Sequence, residues 1–460
     1  MNVPDIKTLL NQEIAQAYQD ALQEDPKKGK GWKRDCEKLG DIDFIYTIIM
    51  RALLPVSSGL AFVQHCQQNF DDTLTRANFF LASSSPRRLR MLDKVMPIIF
   101  RNLRRIMCRL KIDHIKEIDT LAAYDCVAFD GHCIESASHT KLEDGVKNKV
   151  NSCFIMGMDF RTGLVMPVQV VSTGTKKKHE VPSLVEACED DQMRWELRYN
   201  QISIYDRAVS SLEFIFQEYQ KSHFILTREK KNVQWDKVEP LSWDREDAIN
   251  RNVIQDSHCY KLIDGELRRF RVVEYFDPIK KKSYRYLTCL PSNVPPGVIA
   301  ELYRRRWQIE KTYDNSKNSL FEQKAWGTSF EAHKVQMYAI VSTLNFIRYF
   351  QELNLWEKYN DEDDKNIQNQ VDSSEEKDAS EFKREKVHVS VEKREKAFQK
   401  EIDHAKSLGY SISPLRYIGS LMRLTEFCVR TVQNSILSSK SMSWLLSELK
   451  REFKYRRVVY

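Results

Sequence analysis

Between Asp125 and Thr227 the apolar residues come in runs too short for helices, separated by turn residues and by two helical stretches. Asp125–Asp130 (DCVAFD), Cys153–Asp159 (CFIMGMD) and Leu164–Ser172 (LVMPVQVVS) are three such runs. The turn Phe160–Arg161–Thr162–Gly163 closes the second. Together they predict an antiparallel meander. A helix over 181–189 follows, then a strand Gln201–Tyr205, Asp206, a helix Val209–Tyr219 and a strand Phe224–Thr227. Three consecutive strands, then strands alternating with helices, predict a mixed five-stranded sheet with helices on its faces.

That order resembles the RNase H-like fold, so the fold class expected is α/β with an RNase H-like core. Residues 119–353 would form this catalytic core. Residues 228–293 interrupt it with Trp235, Trp243 and a hairpin across DPIKKK, and predict a β-rich insertion before the last core helices. Residues 1–118 are helical throughout. Ser83–Ser84–Ser85–Pro86 marks a helix start, and the helix after it carries Leu89, Leu92, Val95, Met96, Ile99, Leu103, Ile106 and Leu110 at helical spacing. This region is expected to bind DNA. Phe330–Leu353 predicts a further amphipathic helix. Residues 354–405 are densely charged and include the acidic, aromatic-poor stretch 360–380, which predicts a loosely held linker. Residues 406–460 return to helical periodicity, as a C-terminal domain for DNA binding or dimerisation.

The chain has 460 residues, 42% of them apolar, with no window of 18 uninterrupted apolar residues, which argues against a membrane span. Its first residues are polar and partly acidic, unlike a secretory signal. The ten cysteines are scattered without CxxC spacing, which argues against zinc and for reduced thiols in a cytoplasm. Net charge is +7, and it is clustered: Lys27–Arg34, Arg87–Lys116, Lys176–Lys178, Arg268–Arg269, Lys280–Lys282 and Lys450–Arg457. Separated basic patches interleaved with Trp and Tyr fit a polyanion contacted over a long surface.

The stretch ELYRRRWQIEKTYDNSKNSL, Glu301–Leu320, contains no Gly or Pro and predicts one helix. At about 100° per residue, Tyr303, Arg306, Glu310 and Lys317 share one stripe. Beside them Leu302, Ile309, Tyr313 and Leu320 form an apolar stripe that would dock. A lone carboxylate in a row of cations is commonly no more than a solvated face. Here it has company. Asp130 ends one apolar strand before Gly131, and Asp206 ends another (ISIYD). In the expected sheet these strands are neighbours, so both carboxylates emerge at one edge, with Glu310 on a helix across it. Asp125 begins its strand, and Asp159 reads as a hairpin-turn residue. His132 and His179 read as structural or surface groups. Three convergent carboxylates without His or Cys favour a hard cation, Mg²⁺ or Mn²⁺. Two such ions about 4 Å apart would serve phosphoryl transfer. Trp235 and Trp243 are candidates for stacking on an unpaired base, against core packing as the simpler role.

Over residues 75–350 the chain resembles DDE transposases of bacterial cut-and-paste insertion sequences, in the subgroup with a Y-x2-R-x3-E-x6-K signature. Tyr303, Arg306, Glu310 and Lys317 match that spacing, and Asp130 in CVAFDG and Asp206 in ISIYDR match the family's two aspartates. The resemblance implies metal binding and catalysis by Asp130, Asp206 and Glu310, with DNA-backbone contacts from Tyr303, Arg306 and Lys317. It implies cleavage at inverted-repeat ends, transfer of the 3′-hydroxyl to target DNA, and a homodimer pairing two double-stranded ends in a synaptic complex. Two rivals stay open: an RNase H-like nuclease without strand transfer, and a catalytically retired DNA-binding derivative.

Overall fold

The structure is a computed structural model. It describes residues 6–24, 32, 39–54, 59–69, 74–110, 112–116, 118–134, 152–172, 200–278, 280–307, 309–310, 320, 324–360 and 432–433. Among these, nine strands form one sheet in the order β3-β2-β1-β4-β5-β9-β8-β7-β6. The first five are β1 (Asp125–Ile134), β2 (Ser152–Asp159), β3 (Val165–Ser172), β4 (Gln201–Ile204) and β5 (His223–Arg228). β1, β2 and β3 run antiparallel, and β4 and β5 join parallel on the other side of β1. This is the mixed five-stranded RNase H-like arrangement. β2 and β4 are buried along their whole length, as strands covered on both faces must be.

The insertion adds β6 (Lys237–Pro240), β7 (Val253–Ile263), β8 (Glu266–Asp277) and β9 (Lys282–Thr288), all antiparallel. The hairpin across DPIKKK is β8–β9. The sequence signals gave only that hairpin. Two further strands, β6 and β7, lie within the same segment 228–293, and β9 pairs directly with β5, so core and insertion are one continuous sheet. A buried bidentate pair, Arg271 with Asp256 at 2.6 and 2.9 Å, and the ring of Phe270 hold the insertion's interior.

Among the described residues, five α-helices precede the sheet: α1 (Ile6–Glu24), α2 (Asp41–Leu53), α3 (Gly59–Asn69), α4 (Arg76–Ser83) and α5 (Pro86–Arg109). Ser85 caps α5 by accepting the Arg88 N–H, with Pro86 in the first turn, as its sequence predicts. Its buried stripe includes Leu89, Leu92, Val95, Met96, Ile99 and Leu103. α6 (Leu212–Gln220) starts three residues later than expected, where Ser211 caps it. α7 (Pro296–Arg305) and α8 (Phe330–Asn360) complete the described helices. α8 packs against α2, α5 and β3. Its Asn345 accepts the Val165 N–H at 2.7 Å and donates to the Val165 carbonyl at 2.8 Å, which satisfies backbone on the outer strand β3. The expected helix at 181–189, the expected linker 354–405 beyond residue 360 and nearly all of 406–460 lie outside the described residues; residues 354–360 continue α8. Val432 is buried, and Gln433 donates to the Leu53 carbonyl. No described helix is long and apolar enough to cross a membrane.

The arginine face of α5 is largely engaged within the chain. Arg87 and Arg88 pair with Asp41, Arg101 with Glu24, and Arg104 with both Asp125 and Asp159. Those two aspartates have fully buried side chains. Asp159 also accepts from the Thr162 hydroxyl at 2.8 Å and the Arg161 N–H at 3.0 Å, which makes it the turn residue its position suggested.

Candidate active site at the β1–β4 edge

The parallel pairing of β1 with β4 ends at Ala128 and Ile204. Asp130 and Asp206 each lie two residues beyond that last pair. The residues just before them, Phe129 and Tyr205, are both about 1% exposed and stack with ring centroids 5.3 Å apart, locking the two chains together from the opposite face. Gly157 of β2 lies against Phe129: a Cβ there would stand 2.6 Å from the ring. β1 does not end at Asp130, as its sequence suggested. It continues to Ile134 because β2 pairs with it all the way, with Asp130 opposite Met156. The opening beside Asp130 therefore arises where β4 stops. Beyond β4, Asp206 turns the chain: its side chain accepts the Ala208 N–H, and its carbonyl accepts the Thr227 hydroxyl at 2.7 Å from β5.

Glu310 approaches from the helical segment after α7. Leu302, Ile309 and Leu320 are buried, as the apolar stripe required. The single long helix expected over Glu301–Leu320 is interrupted: α7 ends at Arg305, and the Arg306 and Ile309 N–H groups reach only three residues back, to Tyr303 and Arg306. Residues 311–319, with Lys317 and Tyr313, lie outside the described residues. At the break, Arg306 donates to Asp130 Oδ2 at 3.2 Å and to Glu310 Oε1 at 2.5 Å. One guanidinium thus bridges two carboxylates 180 positions apart in the chain, Asp130 and Glu310. Burial pushes the Asp130 carboxyl above its ordinary value, and the charges of Glu310 and Asp206 push it the same way. Arg306 and the Gly131 N–H oppose them. Asp130, Asp206 and Glu310 therefore share one electrostatic neighbourhood.

Tyr303 lies between this cluster and the insertion. Its ring is 4.9 Å from that of Tyr286, which stacks on Tyr284 at 6.5 Å, and the Arg306 guanidinium carbon is 5.9 Å from its centroid. Burial raises the Tyr303 hydroxyl's pKa, with Arg306 opposing. Arg228 and Lys282 lie over the Tyr284 ring at 4.7 and 5.9 Å, and Lys280 over Trp307 at 5.0 Å. Trp307, next to Arg306, is 52% exposed. On the helical wheel it lies about 100° from Arg306, off the charged stripe, so the sequence pattern does not mark it. Of the two tryptophans chosen for stacking, Trp235 is half-buried, donates to Glu229 at 2.6 Å and packs on Phe270. Trp243 is half-buried with Arg245 5.0 Å over its ring.

The start of α7 is gripped by the insertion. The Gly297 N–H donates to Asn250 Oδ1 at 2.9 Å, and a Cβ on Gly297 would lie 1.9 Å from the Ile249 carbonyl oxygen. Only glycine permits that approach.

Among the described residues no three His, Cys, Asp or Glu side chains are close enough to hold a metal ion as they stand. The donor chemistry nevertheless fits a hard divalent cation. The facing groups are all carboxylates, and a cationic side chain is already drawn between two of them.

Residues 122–346 match the family model of the transposase DDE domain. The match spans all three carboxylates and the whole insertion. Comparison with curated proteins gave no match. Among solved structures, the chain is similar to a piggyBac transposase synaptic complex with hairpin DNA, at 11% identity and a TM-score of 0.38, covering 98% of this chain and 87% of that one. It is similar also to the Drosophila P element transposase strand transfer complex, at 10% identity and a TM-score of 0.22, covering 97% and 87%. Neither score is high enough to carry an argument about this chain. The family match, with the carboxylate edge it spans, supports a transposase of the DDE class.

Proposed function

We propose that the chain is a DNA transposase that cleaves at inverted-repeat ends and joins the freed 3′-hydroxyl to target DNA. What supports this is that Asp130 and Asp206 each follow the paired ends of β1 and β4, while Arg306 joins Asp130 to Glu310 from a distant helical segment. Asp130 and Glu310 are already close enough to share one guanidinium. These three would hold divalent ions, Mg²⁺ or Mn²⁺, which supply charge neutralisation at phosphorus and activation of a water or 3′-hydroxyl. The chain's own work is to orient the strand. Tyr303 and Arg306, with Lys317, contact the DNA backbone beside the scissile phosphate. Arg228, Lys280 and Lys282 extend that positive surface along β9, each seated on an aromatic ring. Trp243 serves to stack an unpaired base, and Trp235 braces the insertion. The tyrosine, arginine, glutamate and lysine spacing supports the bacterial insertion-sequence subgroup. We further propose a homodimer on paired DNA ends in the cytoplasm, with 1–118 and 406–460 as DNA-binding or dimerisation regions.

The test is incubation of purified protein with Mg²⁺ or Mn²⁺ and DNA carrying the flanking ends. Cleaved ends and joined products are expected, and Glu310→Gln should lose at least about 100-fold of both, since it removes a charged ligand from the reacting centre. Equal activity in Glu310→Gln would remove this assignment. Nicking without any joined product would point to a nuclease instead.

A further inference from the structure

Arg306 occupies a position that a divalent ion would contest. Its two terminal nitrogens contact Asp130 Oδ2 and Glu310 Oε1. An ion bound to both at about 2.1 Å draws on the same two carboxylates. It would also place like charges in direct proximity within a half-buried site, where repulsion is screened far less than in water. Guanidinium and ion therefore compete for the two carboxylates. Arg306 is placed to move. It lies at the break after α7, where the helical ladder shifts to three-residue spacing. Its Nε is buried with no hydrogen-bond partner among the described residues. A guanidinium leaving two carboxylates needs another anion, and a phosphodiester offers matching paired acceptors.

We propose that Arg306 is an exchangeable counter-cation. It holds Asp130 and Glu310 together when no divalent ion does, and passes to a DNA phosphate when an ion takes them. Metal and DNA then bind cooperatively: an ion releases Arg306 for DNA, and DNA draws Arg306 off the carboxylates. Linkage makes the two effects equal in size. This rests on the transposase reading and adds to it a role for Arg306 before DNA arrives.

The test uses the full chain. Free Mn²⁺ is followed by electron paramagnetic resonance, with and without a short DNA duplex, and duplex binding is followed by anisotropy, with and without Mn²⁺. In the unmodified protein the duplex should tighten Mn²⁺ binding by about 5-fold or more, and Mn²⁺ should tighten duplex binding by the same factor. Arg306→Gln should bind Mn²⁺ more tightly than the unmodified protein when DNA is absent, and its coupling factor should fall to about one. Arg306→Lys, which keeps the charge but cannot span both carboxylates, should fall between. A coupling factor near one in the unmodified protein overturns the proposal whatever the variants do. So does weaker or equal Mn²⁺ binding by a folded Arg306→Gln. Failure of the unmodified protein to bind duplex at all overturns the transposase reading, and with it this proposal.

Discussion

Replacing Arg104 by Met should cost the protein about 4 kcal/mol of stability, the middle of the range for breaking a buried ion pair from one side. The size follows from what remains. Arg104 donates to Asp125 Oδ1 at 2.7 Å and to Asp159 Oδ2 at 3.1 Å, and neither aspartate side chain is exposed. Asp159 would keep its bonds to the Thr162 hydroxyl and the Arg161 N–H. Asp125 would keep Arg161 only at 3.7 Å, because that guanidinium is committed to Asp113 and to the carbonyls of Leu121 and Tyr124. Asp125 therefore loses the shorter of the two Arg104 bonds. Adding Asp125→Asn to Arg104→Met should recover about 2 kcal/mol through the coupling of contacting residues. Urea denaturation of both variants and of Asp125→Asn alone closes the cycle. A loss below about 1 kcal/mol for Arg104→Met, the level of an exposed pair, would refute the reasoning. So would strict additivity.

Other outcomes follow from the same contacts. Asn345→Ala should cost about 2–4 kcal/mol in urea denaturation, since it strips both partners from the Val165 backbone. Gly297→Ala should displace the start of α7 from Ile249, costing at least about 2 kcal/mol and lowering DNA cleavage, with both read on one preparation. Burial alone would raise the Glu352 carboxyl, but Arg348 and His114 hold it below the ordinary glutamate value of 4.5. A depressed folded value stabilises the protein above that pH, and the benefit is lost as pH falls through the folded value. The stability advantage over Glu352→Gln should therefore be full near neutrality and vanish in acid below the ordinary value, as pH-dependent thermal denaturation would show.

Local signals carried some elements from sequence to structure unchanged. Ser85–Pro86 opened α5 where capping chemistry put it, and the short apolar runs became β1 to β5 because their length and turn residues admit little else. What sequence could not show came from distant partners. α5 reads as a basic face because Asp41, Glu24, Asp125 and Asp159, which neutralise much of it, come from other elements. The interruption at Arg306 has no Gly or Pro to announce it, and the residue there is bonded to Asp130, 176 positions away. β6 has no buried position and β7 mixes buried and exposed ones without strict alternation, so only the β8–β9 hairpin stands out in the sequence. In the site, the strand-end aspartates and the helical stripe were legible. Their common register, and the exposure of Trp307, required the pairing of β1 with β4 and the turn after α7.

The seam between β5 and β9 has a mechanical consequence. Leu226, Thr227 and Arg228 pair with Thr288, Leu287 and Tyr286, and the Thr227 hydroxyl holds the Asp206 carbonyl at 2.7 Å. A load applied to the outer strands thus travels through backbone hydrogen bonds into the turn that aims one of the three acids. The insertion behaves as a lever fused to the floor of the site rather than as a module on a tether, and a twist of its far rim is felt at Asp206 without passing through a hinge.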